Sequence, residues 1–358
     1  MKDDLLDEMN LYPYADDGMK APSTTLPYSK VIEHIDESLK SETPVAFGLH
    51  PNAEIGFRTQ TSEELLRTIF ELSALSDGLG GDIQNTQTVA EMVLQDILES
   101  MKDNHFELEM IIQGVDDVGP FQNVILQECD RMNSLVDEIN RSLVELDLGF
   151  QGELTMSDSM EDLAASLFLD RVPHSWESVA YPSLRPLAAW LSNLQQRIGQ
   201  LLEWAATPAE TPLVTWISGL FNPQSFLTAV MQSTAQTQTL ELDKLTLLTD
   251  VTKRANIEEV TAAPREGTYI TGLFLEGGSW NTHMTCLEHS KPREMYCPLP
   301  IINVRPAMVE KIDSNVFLCP VYKTQQRGPT YVVSLQLKTK ADPGKWILAG
   351  VVSVMDVV

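Results

Sequence analysis

The chain has 358 residues, of which 43 % are hydrophobic and 7 % aromatic, a composition typical of a folded globular protein rather than a disordered one. Its formal charge is −26, and this charge is uneven: residues 1–259 carry −28 and residues 260–358 carry +2. An acidic surface argues against nucleic acid as a partner, since phosphate binding needs clustered Lys and Arg, and against adhesion to anionic membranes.

Cysteine content and the first residues bear on the compartment. Four cysteines in a chain of this length do not form a disulfide framework. The charged opening Met1–Glu8 lacks the apolar core of a signal peptide, and no run approaches the 18 apolar residues of a membrane span. We therefore expect a reducing, cytoplasmic location.

The first 46 residues are interrupted by prolines, with one short helix predicted at Tyr28 to Leu39. A chain that begins in such a segment is expected to be part of a longer protein. A turn is predicted at Phe47 to Ala53, because His50 precedes a proline and is restricted to extended geometry. Thr61 to Glu64 has the pattern of a capping box and predicts that a helix begins there and continues to about Leu75.

Helical periodicity continues to about residue 238. The apolar residues of the first long helix share one face, which is predicted to point inward: Leu65, Leu66, Ile69 and Leu72. Further helices are predicted at residues 86–101, 119–148, 158–168 and 186–205. The segment 119–148 keeps its apolar period for more than six turns and is expected to be the central helix.

The segment Trp216 to Val230 stands where the helical pattern gives way to a strand pattern. Asn222 can accept hydrogen bonds from the free N–H groups of a first turn, and Pro223 suits the first helical position. Phe226 opens the apolar face of this helix, and Phe221 precedes the cap, where it can pack back on the first turn. A helix is therefore predicted to begin at Pro223.

From residue 246 onwards the chain reads as short segments rich in β-branched and aromatic residues, separated by Gly, Pro and Asp. Six strands are predicted, at residues 246–252, 268–275, 299–304, 315–322, 330–338 and 346–354. Sequential strands without intervening helices favour an antiparallel sheet that curls into a barrel or a sandwich.

Five ordered segments carry a resemblance to a known family. They are SGLFNPQSFLTAVMQ, FGLHPNAEIGF, PREGTYITGLFLEGGSW, CPVYKTQQRGPTYV and KWILAGVVSVMDVV. Over residues 45–358 the chain resembles the C-terminal region of dynein heavy chains, the AAA+ motors that walk on microtubules. The segments NAEIGFRTQTSEELLRTIFE and LVELDLGFQGELTMS are most similar in sequence to the axonemal outer-arm beta-type heavy chains.

The resemblance implies an α+β fold, a helical bundle followed by a six-stranded antiparallel, incomplete β-barrel. Residues 1–46 would be the tail of the sixth AAA+ module, residues 47–245 the helical part of the C-terminal domain and residues 246–358 its barrel part. The implied partners are the AAA+ ring modules of the same heavy chain and, through the intact motor, intermediate chains, light chains and microtubules. The implied location is the cytoskeleton of a ciliary or flagellar axoneme.

The expected role is non-catalytic: bracing the ring and modulating ATP-driven, minus-end-directed movement. We predict no catalytic, cofactor-binding or metal-binding residue, and a set of structural anchors: His50, Pro51, Asn52, Trp216, Phe221, Asn222, Pro223 and Phe226. Asp77-Gly-Leu-Gly-Gly lacks the Lys-Ser/Thr of a phosphate loop, so the chain alone is not expected to hydrolyse ATP. In the family, hydrolysis belongs to earlier ring modules.

Two other function classes stay open at this point. His283, Cys286, His289 and Cys297 are zinc-ligand residue types, although residues three apart on a strand point to opposite faces and the spacing is unlike the usual zinc motifs. A zinc-dependent enzyme would need that cluster. The other alternative is an autonomous protein-binding module with an acidic helical scaffold and a β recognition face.

Overall fold

The computed structural model describes residues 26–38, 51–77, 83–101, 104–115, 117–308 and 315–357. Within these ranges, strands appear only from residue 214 onwards, and the preceding part is helical. The helices are α1 Tyr28–Ser38, α2 Pro51–Asp77, α3 Ile83–Met101, α4 Leu108–Gln113, α5 Pro120–Phe150, α6 Asp158–Phe168, α7 His174–Glu177, α8 Leu187–Ala206, α9 Pro223–Gln238 and α10 Pro343–Leu348.

The strands of the second half are short. They are β1 Val214–Trp216, β2 Thr246–Val251, β3 Thr268–Thr271, β4 Phe274–Glu276, β5 Gly278–Asn281, β6 Cys286–His289, β7 Tyr296–Pro298, β8 Ile302–Ala307, β9 Val316–Tyr322, β10 Tyr331–Lys338 and β11 Val352–Val354. A mixed α+β fold, helical first and strand-rich second, is therefore confirmed.

The expected six-stranded antiparallel, incomplete barrel differs from the described strands in strand number and in pairing, since two of the strand pairs are parallel. The described strands form a four-stranded sheet in the order β1-β3-β8-β2, a five-stranded sheet in the order β10-β9-β11-β4-β7 and a two-stranded β5-β6 sheet, with no closed barrel among them. β1 runs parallel to β3, and β11 runs parallel to β9. A parallel pair needs a crossover connection, supplied here by segments containing α9 and α10, and strand patterns alone do not show which strands become neighbours.

The predicted last strand, residues 346–354, is instead a helical turn followed by β11. Asp342 accepts a hydrogen bond from the Gly344 N–H at 3.3 Å, and Pro343 occupies the first turn of α10. The Trp346 indole is buried and donates to the Thr339 hydroxyl at 2.7 Å. The cap and the proline begin a helix where the β-branched and aromatic content predicted a strand.

The predicted start of the first long helix is also wrong. α2 begins at Pro51, ten residues before the capping-box pattern, and Thr61 lies inside it with its hydroxyl donating to the Phe57 carbonyl at 2.8 Å. The face predicted to point inward is exposed: Leu65, Leu66, Ile69 and Leu72 are 62 %, 52 %, 51 % and 61 % exposed. The helical periodicity correctly indicated that these residues share one face, but it did not indicate whether the rest of the domain buries that face.

One hydrophobic core runs through both halves of the chain. The buried face of α5, which includes Ile125, Met132 and Ile139, lies at the centre of the helical half, and α3, α6, α7, α8 and α9 pack around it. The same core continues into the sheets through Ile270 and Leu335. The two halves are therefore one packed body in the described part of the chain. None of the helices described is both long enough and apolar enough to cross a membrane.

Candidate functional site

The candidate site is the junction where β1 leads into α9. Asn222 is the N-cap of α9, its side-chain oxygen accepts from the Ser225 N–H at 3.3 Å, and Pro223 occupies the first turn. These are the positions that the local sequence indicates, because both features act within four residues along the sequence.

Aromatic side chains fill the space beneath this cap. Phe226 is fully buried, with its ring 5.7 Å from that of Phe121 on α5 and 6.1 Å from that of Trp204 on α8. Phe221 is also buried and meets the Tyr181 ring edge-on at 5.6 Å. α9 is therefore held against two helices of the first half by its first turn.

One buried and one partly buried charge bind the backbone immediately before α9. The Glu128 carboxylate, 1 % exposed on α5, accepts from the Phe221 N–H at 2.6 Å and the Asn222 N–H at 2.8 Å. The Lys323 ammonium, just beyond β9, donates to the Phe221 carbonyl at 3.0 Å. We call Glu128, Phe221 and Lys323 the junction clamp, because it links the central helix to the five-stranded sheet through one residue.

Burial sets the proton affinities of both charges. Burial raises the pKa of Glu128 above its ordinary value, and the two N–H groups that it accepts from oppose this rise without cancelling it. Burial lowers the pKa of Lys323, while the Glu128 charge partly opposes that change. Each group is thus shifted towards its neutral form by loss of water.

Trp216 is fixed on the other side of the junction by α8. Its backbone N–H donates to the Gln200 side-chain oxygen at 2.8 Å, and the Gln200 amide donates to its carbonyl at 3.2 Å. The buried Arg197 guanidinium lies 3.5 Å from the centre of the Tyr181 ring and 5.5 Å from that of Trp216. This cation–π contact partly replaces the hydration that Arg197 loses.

The anchors predicted at the start of the helical half lie against a different element. Asn52, 5 % exposed, donates to the Lys291 and Glu294 carbonyls at 2.8 Å each and accepts from the Arg293 N–H at 2.8 Å. α2 is thereby joined to the loop between β6 and β7. Pro51 is the first residue of α2, and His50 lies outside the described residues.

The structure therefore brings together five predicted anchors, Trp216, Phe221, Asn222, Pro223 and Phe226, while Asn52 contacts the sheet half separately. Sequence reasoning missed Glu128, Lys323 and Arg197. A signal existed for Glu128, since it interrupts the apolar face formed by Ile125, Cys129 and Met132. No local signal could have paired either charge with Phe221, roughly a hundred residues away in sequence.

The residues considered as zinc ligands have other surroundings. Cys286 and Cys297 are buried, and the Cys297 sulfur accepts from the Trp280 N–H at 3.4 Å. His289 packs its ring 5.1 Å from that of Trp346, and His283 is exposed. Among the residues that the structure describes, no group of three or more His, Cys, Asp or Glu side chains is placed to hold a metal ion.

The chemistry of the junction is that of a rigid joint. The Glu128 carboxylate and the Lys323 ammonium are engaged with backbone atoms, and Phe221 and Phe226 are packed within the core. A second tie strengthens it near the end of the sequence, where the Asp356 carboxylate accepts from Ser183 and Arg185, both at 2.7 Å. The helical half and the sheet half are thus joined by side-chain contacts at several points.

Comparison with known proteins identifies the family. A family model described as the C-terminal domain of the dynein heavy chain matches residues 59–355. The chain is 44 % identical to the dynein beta chain of the flagellar outer arm from Chlamydomonas reinhardtii, over 99 % of this chain and 8 % of that relative. It is 45 % identical to dynein axonemal heavy chain 9 from Homo sapiens, over 94 % of this chain and 8 % of that relative.

A third relative agrees, the ciliary dynein beta chain from Heliocidaris crassispina, at 44 % identity over 92 % of this chain and 7 % of that relative. The chain thus spans less than a tenth of the length of the curated relatives it matches. Over nearly all its residues, the chain belongs to the family of C-terminal domains of dynein heavy chains and is similar to the axonemal, flagellar and ciliary members of that family.

Proposed function

We propose that this domain braces the AAA+ ring of an axonemal dynein heavy chain and thereby modulates ATP-driven, minus-end-directed movement along microtubules. Its place is the axoneme of a cilium or flagellum, in keeping with the flagellar, ciliary and axonemal relatives. The domain is non-catalytic in this proposal, and ATP hydrolysis belongs to other parts of the heavy chain. Intermediate chains, light chains and microtubules are reached only through the intact motor.

The observation that carries the proposal is the exposed apolar stripe of α2. Every side chain described between Phe57 and Leu72 is exposed, so α2 leaves the body of the domain soon after Asn52. Four aliphatic residues on one side of it are more than half exposed: Leu65, Leu66, Ile69 and Leu72. A water-exposed stripe of this kind marks an interaction surface. These four side chains are already about half buried, so each can contribute half of the usual ~1.5–3 kcal/mol for a buried aliphatic side chain. Their complete burial by a partner would therefore stabilise the interface by about 3–6 kcal/mol.

The occupant that we assign to the α2 stripe is the remainder of the same heavy chain. The relatives extend over more than ten times the length matched here, so most of the polypeptide lies outside this domain. A covalently connected partner is present at high effective concentration, which favours it over separate proteins. The ring modules of the same heavy chain are therefore the proposed partner.

A brace must also be stiff, and the junction clamp supports that requirement. Glu128 and Lys323 tie the helical half and the five-stranded sheet to one residue between them. The Asn52 side chain ties α2 to the β6–β7 loop through three hydrogen bonds. A displacement of α2 by a moving ring module would thus be transmitted to the sheet half rather than absorbed by a loose hinge.

The experiment uses two variants of the full-length heavy chain. In the stripe variant, Leu65, Ile69 and Leu72 are each replaced by Ser. In the control variant, Gln60 and Glu63, on the opposite side of α2, are replaced by Ser. We expect the stripe variant to change microtubule gliding velocity and to increase amide hydrogen exchange in α2. The control should change neither. Unaltered gliding and equal exchange in both variants would refute the brace.

A further inference from the structure

An open groove lies between α3 and α5 on the acidic half of the protein. Its volume is about 590 Å³, and Gln95, Leu98 and Glu99 of α3 face Asp137, Asn140 and Val144 of α5 across it. Asn133 of α5 binds the backbone of Phe106 beyond the end of α3, and Gln95 binds Asp147, so the two helices run antiparallel along the groove. From Val136 to Val144 the wall is ~12 Å long at the rise of an α-helix.

The floor of the groove is apolar and its charged rim is acidic. Leu98, Met101, Val136 and Val144 supply the floor, with Val144 48 % exposed. Among the described lining residues, the carboxylates are Glu99 and Asp137, on opposite walls, and the His105 imidazole lies beyond the end of α3. The arginine nearest along α5, Arg141, is paired with Glu138 and Glu145 and so adds no free positive charge.

An apolar floor with one carboxylate on each wall fits one class of occupant. An amphipathic helix places an apolar stripe along one side, and Lys or Arg residues flanking that stripe would meet Glu99 and Asp137. A second copy of this chain is a poor occupant, because residues 1–259 carry −28 and two such surfaces repel each other.

We propose that this acidic groove is a docking site for a basic amphipathic helix of a partner protein. The site is separate from the α2 stripe, so it adds an interaction surface to the bracing role rather than restating it. Apolar contacts with Leu98 and Val144 hold the helix, and the two carboxylates fix its charge preference and speed its association.

The test measures binding of the 358-residue protein to a synthetic peptide of about 18 residues. It carries Leu at i, i+3, i+4 and i+7, Lys only at the positions that flank this stripe, and Ala elsewhere, so that it is partly helical in water. Fluorescence anisotropy compares this probe with a scrambled peptide of the same composition. We expect the amphipathic probe to bind about tenfold more tightly, a difference of ~1.4 kcal/mol.

Charge reversal provides a matched pair of variants. Glu99→Lys with Asp137→Lys should weaken binding about tenfold, whereas Glu203→Lys with Glu210→Lys, on and after α8, changes the net charge equally and should alter it less than about twofold at physiological salt. Val144→Ser should also weaken binding. All these positions are exposed, and the thermal midpoint verifies folding.

Three outcomes would overturn the proposal. Equal losses in both charge-reversal variants would mean general attraction to an acidic protein. Equal binding of the scrambled peptide would mean that the apolar floor is unused. A concentration-dependent dimer abolished by Val144→Ser would assign the groove to a second copy. None of them bears on gliding velocity, so the brace would stand or fall separately.

Discussion

The carboxylate of Glu128 and the ammonium of Lys323 bind the two polar backbone groups of the same residue, Phe221. Glu128 accepts from the Phe221 N–H and Lys323 donates to the Phe221 carbonyl. One contact comes from the central helix and the other from the sheet half. Phe221 is therefore one of the positions that connect the two halves, and loss of either contact should lower the stability of the whole domain.

Glu128→Ala should lower the free energy of unfolding by about 2–5 kcal/mol, because it leaves one buried and one partly buried N–H donor without an acceptor. Chemical denaturation of the 358-residue protein measures this. Asp130→Ala, at an exposed position of the same helix, is the control and should change the free energy of unfolding by less than about 0.5 kcal/mol. Equal effects of the two substitutions would contradict the junction clamp.

Glu128 should also impose a pH dependence on stability. Its pKa is raised in the folded protein, so above pH 4.5 the folded state retains a proton that the unfolded state has lost. The free energy of unfolding then falls as pH rises from 4.5 to the folded pKa, by at most ~1.4 kcal/mol per pH unit. Glu128→Gln removes this contribution. Parallel stability profiles for the two proteins would contradict it.

The features that the sequence predicted well depend on interactions between residues within about one helical turn of each other. Asn222 and Pro223 begin α9 through contacts three residues apart, and α6 occupies the predicted Asp158–Phe168. The apolar period of α5 depends only on the helical repeat, and its face is buried as expected. Local hydrogen bonds and periodicity do not require knowledge of the topology.

What the sequence could not supply depends on pairings across long separations. The parallel pairing of β11 with β9 brings a late strand between two earlier ones, and Lys323 reaches Phe221 from roughly a hundred residues away. The stripe of α2 has the pattern of a core face, yet Leu65 and Ile69 are exposed. The same periodicity serves an internal core and an external partner, so it cannot distinguish them.

Phe226→Ala should lower the free energy of unfolding by about 3–5 kcal/mol, since its ring is fully buried between Phe121 and Trp204 and its loss leaves a cavity. Phe57→Ala is the matched control. That ring is 46 % exposed on α2, so the substitution should change the stability of the isolated domain by less than about 0.5 kcal/mol. A denaturation midpoint unaffected by Phe226→Ala would show that the residue is not an anchor.

Asn52→Asp should loosen α2 from the β6–β7 loop. The aspartate keeps an acceptor for the Arg293 N–H but loses both donors, to Lys291 and Glu294, at a cost of about 1–3 kcal/mol. Amide hydrogen exchange in residues 291–294 should accelerate, and exchange in the core of α5 should not. Asn123→Asp, at an exposed position, is the control. Unchanged exchange in the loop would mean that α2 is held by other contacts.

Two glycines give opposite expectations for the same substitution. Gly272 has φ +92°, and a Cβ there would overlap the indole of Trp216, so Gly272→Ala should lower the free energy of unfolding by about 2 kcal/mol or more. Gly199 lies within α8 with open space around its Cα, so Gly199→Ala should raise that free energy by about 0.5–1 kcal/mol through helix propensity. Thermal and chemical denaturation measure both. If Gly272→Ala did not lower the free energy of unfolding, the indole of Trp216 could not be fixed in its observed position. One of the observations that support a stiff junction would then be lost.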